Sequence, residues 1–549
     1  MLSHKYSKLS AALLLIGAVG CSKLHEDYKS SFTQGQIGTA LGAKAPTLLL
    51  KGAYADLATP FTAQDHIFGL QECTSDEALV PTRGGDWDDN GNWRVLHNHT
   101  WNADHSHILQ VFNDLGGLNF DATNVLSFNP SKEQAAEARF LRAIALYYTL
   151  DLFNQFPFRN PGDNLLNAPT VYRGDSAVQF IISELKAAIP DLDPKNTMAQ
   201  ANQNAAKMLL MRCYLNRGAF LNRAHPTFAD ADMQQVITLG QDIMTNGGYS
   251  YMSNYFDNFA VTNSNSTEGI FAYPNSSGVT ANNSGPQARW MMTFHYNEYN
   301  GAAPNAGWNG FSTMADFYNA FSVGGTTTTG LADTLIDSRI GRRVNSNRTT
   351  TLNSGIRPGF LVGQQYDQNG VALKDRKGHG LIFDPNIASN MIEQGTNLEV
   401  TGIRVAKYVP DFSDPGGKFY SSNSGNWIML MRYPDVVLMV AEAKLRQATP
   451  DPAGALTLVN QLRTARGAAP MAGPLVLVNP ANVDDPNTLL AERGRELYWE
   501  GVRRTDLIRF GVFNVLWAYK PADDPKYLVF PVPNQALSVD PNLTQNPGY

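Results

Sequence analysis

A chain of 549 residues with a net charge of −6 is too long for one small domain, and it lacks the basic runs that grip a phosphate backbone, so nucleic acid is not expected as a partner. Apolar residues make up 43% and charged residues 17%, which allows a large core and excludes bulk disorder. Three cysteines are too few for a disulfide framework.

Lys5 and Lys8 precede an uncharged stretch from Leu9 to Gly20. A membrane span needs about 20 apolar residues, so this segment is too short to cross a bilayer. A basic start, a short apolar run and a small-residue exit predict a signal peptide over residues 1–20, whose removal takes the net charge to −8. Gly20 directly before Cys21 resembles a bacterial lipoprotein processing site, although Ala18 stands where that pattern prefers Leu. Cys21 is then the acylated N-terminus and lipid anchor. The Glu26–Asp27 pair that follows resembles the acidic surface-export signal of Bacteroidota lipoproteins. Such a protein is held on a membrane without spanning it.

Helical periodicity dominates the rest. Ser131 with Gln134 makes a capping-box pattern, and Pro157 is expected to end the helix that it opens. Ala138, Leu141, Ala145, Tyr148 and Leu152 form one apolar stripe, with Phe140, Ile144 and Tyr147 on its neighbour. An apolar circumference this wide predicts a central helix. Further helical hairpins are expected from Asn202 to Asn222 with Asp230 to Thr245, and from Tyr433 onward with Pro452 onward. Small residues stand where the paired helices would meet. The recurrence suggests tetratricopeptide-like helix–turn–helix packing, without the equal 34-residue spacing of a regular array. The predicted fold is therefore mostly α, with long loop-rich insertions at 59–103, 246–310 and 323–426, the last containing Thr326–Thr329. Loops of that length are usually functional or disordered.

Two of the loop regions have unusual chemistry. The first places Trp87, Trp93 and Trp101 among Asp76, Arg83, Asp86, Asp88 and Asn92. The second, 254–309, has eleven Asn and ten aromatic residues, including Trp290, Tyr296, Tyr299 and Trp308. Flat apolar rings beside neutral amides suit a sugar, which offers C–H faces to stack and hydroxyls to bond. The alternative role for each ring is to plug a loop onto the frame. No metal or cofactor is expected. Asp86, Asp88, Asn90 and Gly91 begin like a calcium loop, but His97 stands where a bidentate Glu is needed, so an Asx-rich turn is the better reading. His97, His99, His105 and His107 are close in sequence, and are expected to hydrogen-bond rather than to bind zinc.

Glu492, Glu496 and Glu500 recur at four-residue spacing among Arg493, Arg495, Arg503 and Arg504. A glycosidase would use two carboxylates, and neighbours four apart on a helix lie roughly 6 Å from each other. Arginines depress carboxylate pKa values, against the need of a general acid. A salt-bridged structural helix is the expectation, and no other catalytic signature is present.

Several segments resemble the SusD/RagB family of Bacteroidota outer-membrane lipoproteins: "EARFLRAIALYYTLDLFNQFP" from Glu137, "RYPDVVLMVAEAKLR" from Arg432, "VNQLRTARG" from Val459, "ERGRELYWEGVRRTDLIRFG" from Glu492 and "FPVPNQALSVDPNLTQNPGY" from Phe530. The resemblance implies a tetratricopeptide-like scaffold, N- and C-terminal regions at 21–245 and 246–549, and lipid-anchored exposure at the cell outer membrane. It also implies a SusC-like TonB-dependent transporter as partner, to which oligosaccharide, or peptide in some relatives, is delivered without cleavage. Ligand positions carried over by it are Asp76, Arg83, Trp87, Trp93, Trp290, Trp308 and Asn309. Rival readings are a surface glycosidase and a structural lid that touches no ligand. Cys213 is expected to be a core thiol, with its relation to Cys73 open.

Overall fold

In the computed structural model each long helix packs on the next. Helix α1 (Ser106–Leu126) lies against α2 (Lys132–Phe153), α2 against α3 (Gly174–Ala188), and α3 against α4 (Gln203–Leu221). The series continues through α5 (Asp230–Asn246) and α6 (Tyr433–Arg446) to α7 (Pro452–Ala465). This is the expected mostly helical, helix–turn–helix architecture. The structure describes residues 40–275, 285–298, 307–321, 337–341, 358–366, 371–408, 410, 424–483 and 485–549. Two compact units divide at Ala45. Of the first, residues 40–45 are described, with a 3₁₀ turn at Gly42–Lys44. Everything below concerns the second, Pro46–Tyr549. Cys21, the leader and the Glu26–Asp27 pair lie outside the described residues, as do Thr326–Thr329 and Tyr299.

Helix α2 begins as its sequence dictates. The Gln134 N–H donates to Ser131 Oγ at 3.1 Å, and the Ser131 N–H donates to Gln134 Oε1 at 3.0 Å. Such a cap is worth about 1 kcal/mol. From Ala136 to Phe153 almost every side chain is buried, so the wide apolar circumference marks a central helix. Its end is earlier than expected. Asn154 adopts a left-handed conformation (φ 62°) and closes the helix at Phe153, while Pro157 falls in the strand Gln155–Phe158, paired with Thr170–Arg173. The last carbonyls of α2 find partners from the C-terminal segment: Phe530 N–H donates to Leu152 O at 2.8 Å, and Asn546 Nδ2 donates to Phe153 O at 3.0 Å. That docking gives the terminal motif its physical role.

Small residues serve close helix contacts. A Cβ at Gly240 on α5 would overlap Val440 on α6. These two helices are neighbours although about 190 residues of chain separate them. The intervening excursion leaves and returns through one antiparallel strand pair, Gly269–Tyr273 with Ile428–Arg432. Contacts thus cross position 246 freely.

The excursions are less structureless than the composition suggested. The 59–103 region contains helices Ala58–Thr62, Ile67–Glu72 and Asn92–His97. Within 358–408, Gly359–Leu361 pairs with Arg404–Ala406, and Gly363–Gln364 with Ile382–Phe383. Among the described residues no helix is long and apolar enough to cross a membrane.

Helix α8 (Leu489–Leu497) and helix α9 (Arg503–Arg509) follow. The expectation of three glutamates on one helix face needs correction, because α8 stops at Leu497 and Glu500 lies beyond it. All three are nonetheless locked by cations. Glu492 meets Arg339 at 2.8 Å and Arg463 at 2.6 Å. Glu496 meets Arg466 at 2.8 Å and Arg432 at 3.1 Å, and Glu500 meets Arg432 at 2.6 Å and Lys407 at 2.8 Å. Burial alone would raise the Glu492 pKa, but Arg339, Arg495 and Arg463 overrule it and hold the carboxyl far below the ordinary range. Cys73 and Cys213 are separate buried thiols.

Candidate functional site

The first loop is fastened by Arg83. Thr82–Arg83 pairs in parallel with Ile392–Glu393. The Arg83 guanidinium donates to Thr401 Oγ1 at 2.9 Å, to Thr401 O at 2.8 Å and to Ser312 Oγ at 3.2 Å. One side chain therefore ties together three chain segments. Arg83 and Asp86 exchange backbone hydrogen bonds in a tight turn, and the turn delivers Trp87 at φ 60°. A bulky residue at positive φ is strained and persists only where its surroundings hold it. Here Trp87 Nε1 donates to Trp308 O at 2.7 Å, and the ring meets Trp93 and Phe311 edge-on, each at 5.7 Å. A Cβ at Gly310 would overlap the same ring.

The second loop meets the first through this bond. Trp308 N–H donates to Met291 O at 2.6 Å, next to Trp290. Trp87 and Trp308 both remain half-buried, so each keeps part of its ring open to solvent. Beside them lies a set of polar side chains. Tyr296 donates its hydroxyl to Asp86, and Arg376 Cζ sits 3.7 Å from the centre of the Tyr296 ring. Burial raises the Tyr296 pKa and the Asp86 bond raises it further, so the phenol stays a donor. Arg376 Nε donates to Glu399 Oε1 at 2.7 Å.

The tautomer behind that clamp follows from its neighbours. The Asn297 N–H donates to His295 Nδ1 at 3.0 Å, so Nε2 carries the proton and donates to Glu399 Oε2 at 3.0 Å. Burial lowers the His295 pKa despite Glu399, consistent with a neutral ring. Burial would raise the Glu399 pKa, but His295 and Arg376 bring it down to about 2.

Of the seven positions expected to face ligand, the structure brings Arg83, Trp87, Trp93, Trp290, Trp308 and Asn309 into one neighbourhood, but leaves only Trp87 and Trp308 with open surface. Trp93 is buried and donates to Asp89 at 2.7 Å. Trp290 is fully enclosed. Asn309 donates to Glu399 O at 3.1 Å and accepts from Arg404 at 2.9 Å. Asp76 lies elsewhere, paired with Arg503 at 2.7 Å. For Asp76, Arg83, Trp93, Trp290 and Asn309 the ligand-facing expectation is therefore corrected. All five are buried; Asp76, Arg83, Trp93 and Asn309 spend side-chain hydrogen bonds inside the protein, and Arg83, Trp93, Trp290 and Asn309 lie behind the site. Asp86 and Tyr296 stood out in the loop composition, but Arg376 and Glu399 carried no local signal, because only the fold brings the 371–408 segment here.

The Asx-rich segment forms the expected turn, with Asn90 and Gly91 at positive φ. The four nearby histidines are buried; His99 Nε2 meets Thr74 O at 2.9 Å, and His105 Nε2 meets Asn92 O at 3.1 Å. Among the described residues no three His, Cys, Asp or Glu side chains are grouped to hold a metal ion.

The site's aromatic and polar groups are thus carried on loops that project from a helix-on-helix frame. Residues 267–525 match the SusD family model. The starch-binding protein SusD of Bacteroides thetaiotaomicron is 24% identical over 503 residues, covering 88% of this chain and 85% of that protein. Among solved structures, a SusD-like protein from Bacteroides fragilis superposes with a TM-score of 0.67 at 17% identity, covering 92% of this chain and 97% of the other. Surface glycan-binding protein A from Bacteroides thetaiotaomicron, in complex with laminarihexaose, gives 0.61 at 14% identity, covering 92% and 99%. Over residues 267–525 the chain is similar to the SusD family, and its fold is that of the SusD-like structures.

Proposed function

We propose that this protein binds oligosaccharide at the outer-membrane surface, held there by a lipid on Cys21, and passes it intact to a SusC-like TonB-dependent transporter. The observation that carries the reading is the Trp87–Trp308 pair. Two tryptophans from different loops, tied by a hydrogen bond from the Trp87 indole N–H to the Trp308 backbone carbonyl, are both only half-buried and stand beside exposed Asp86 and Arg376. Stacking surface with a few fixed polar groups is what an uncharged sugar requires. The relatives named for starch binding and for a laminarihexaose complex support the same ligand class.

Non-hydrolytic capture is supported by the state of the carboxylates. Glu492 and Glu496 are sealed among arginines and are depressed, the reverse of a general acid. A tethered binder raises the effective concentration of ligand at a transporter mouth even with modest affinity. The test is retention of the purified protein in native gels containing starch, laminarin, xylan, galactan or mannan, followed by analysis of the glycan. Retardation by at least one polymer with no new reducing ends supports the proposal. Cleavage products, or free migration in every gel, contradict it.

A further inference from the structure

Resting on the glycan reading, we infer that Asp86 and Arg376 form a donor–acceptor pair that selects an uncharged sugar hydroxyl and turns away acidic sugars. Arg376 is positioned by two partners on one carboxylate: its backbone N–H donates to Glu399 Oε2 at 3.2 Å and its Nε to Glu399 Oε1 at 2.7 Å. The Tyr296 ring supports the guanidinium from below, and the Tyr296 hydroxyl holds Asp86. Both charged groups are exposed, with side-chain accessibilities of 42% for Arg376 and 51% for Asp86.

The gap between them is what gives the pair a ligand role. Arg376 Nη2 and Asp86 Oδ2 stand 3.8 Å apart, beyond hydrogen-bond reach. A hydroxyl oxygen about 2.8 Å from each would complete a triangle over that base. It would accept from Arg376 and donate to Asp86 at once, and a hydroxyl has both capacities. A ligand carboxylate has only acceptors at neutral pH. Drawn to Arg376, it would meet the Asp86 carboxylate with like charge and no proton between them. Exposed Lys374 and Lys377 on the same segment pull in the opposite direction, toward acidic ligands, so the outcome rests on Asp86, which faces the Arg376 guanidinium across 3.8 Å.

The experiment compares gel retention in the neutral polysaccharides named above with retention in polygalacturonate and alginate, for the wild type, Asp86→Asn and Arg376→Gln. Thermal melts verify that each variant folds, as both side chains are exposed. The inference expects the wild type to be slowed by a neutral polymer and not by either polyuronate. Asp86→Asn should weaken neutral binding about tenfold and admit polyuronate, and Arg376→Gln should weaken neutral binding without admitting it. Wild-type binding to polyuronate equal to or tighter than to every neutral polymer overturns the inference while leaving glycan binding intact. So does unchanged neutral binding in both variants. Retention by no polymer of either kind sinks the glycan reading, and this pair with it.

Discussion

Tyr296 serves two side chains at once: its ring centre lies 3.7 Å from Arg376 Cζ, and its hydroxyl donates to Asp86. The two functions separate by substitution. Tyr296→Phe keeps the ring beneath Arg376 and frees Asp86, while Tyr296→Ala removes both supports. A cation over an aromatic face is worth about 0.5–1 kcal/mol at an exposed site. Calorimetric titration with a retained oligosaccharide should show a two- to fivefold loss for Phe and a larger one for Ala. Equal losses would mean that the stacked ring contributes nothing.

Gly310 is the place where a small change should disturb the site from behind. A Cβ there runs into the Trp87 indole, which is already held at positive φ. Overpacking of this kind costs about 1–3 kcal/mol. Gly310→Ala should lower both the melting temperature and the glycan affinity. An unchanged affinity would show that the Trp87 position is not critical.

Stability should respond to pH through His66. Its Nδ1 lies 2.8 Å from Asp65 and its Nε2 lies 3.0 Å from Asp114. Burial lowers its pKa, but Asp114 and Asp65 overrule that and raise it to about 9. A histidine held more basic when folded contributes stability that is complete below the unfolded value of about 6.5. That contribution fades as pH rises through 9. Melting temperatures of the wild type should therefore converge on those of His66→Gln between pH 6.5 and 9, a difference on the order of 1–3 kcal/mol vanishing. Parallel curves would contradict the assignment.

The arginine-bound glutamates should matter for folding and not for chemistry. Removing one partner from a buried ion network costs about 3–5 kcal/mol. Glu492→Ala leaves Arg339, Arg463 and Arg495 short of a shared acceptor. Urea unfolding should shift to lower denaturant by that margin. A stable variant would mean that the network is dispensable.

Much of the frame was legible because its signals are local. Ser131 and Gln134 lie three residues apart, and the stripe of α2 needs only helical spacing, so both read directly from the chain. The end of α2 did not, because Asn154 in a left-handed conformation competes with Pro157 as a stop signal and comes first. The site was legible only as composition. Trp87 and Trp93 are six residues apart and look alike in sequence. Yet Trp93 sits on the buried face of the Asn92–His97 helix, while Trp87 sits on a turn that leaves its ring half open. Nothing local separates those outcomes. Arg376 reaches Tyr296 across 80 positions of sequence, through an excursion whose return depends on the Gly269–Tyr273 and Ile428–Arg432 strands.

The most direct test is calorimetric titration of the Trp87→Ala, Trp308→Ala double variant with an oligosaccharide that the wild type retains. Both rings are half-buried, whereas replacing Trp93 or Trp290 would open the core. Central aromatic contacts each contribute about 2 kcal/mol or more. The account predicts at least a hundredfold loss of affinity in a variant that still melts cooperatively. An affinity within twofold of the wild type would contradict it.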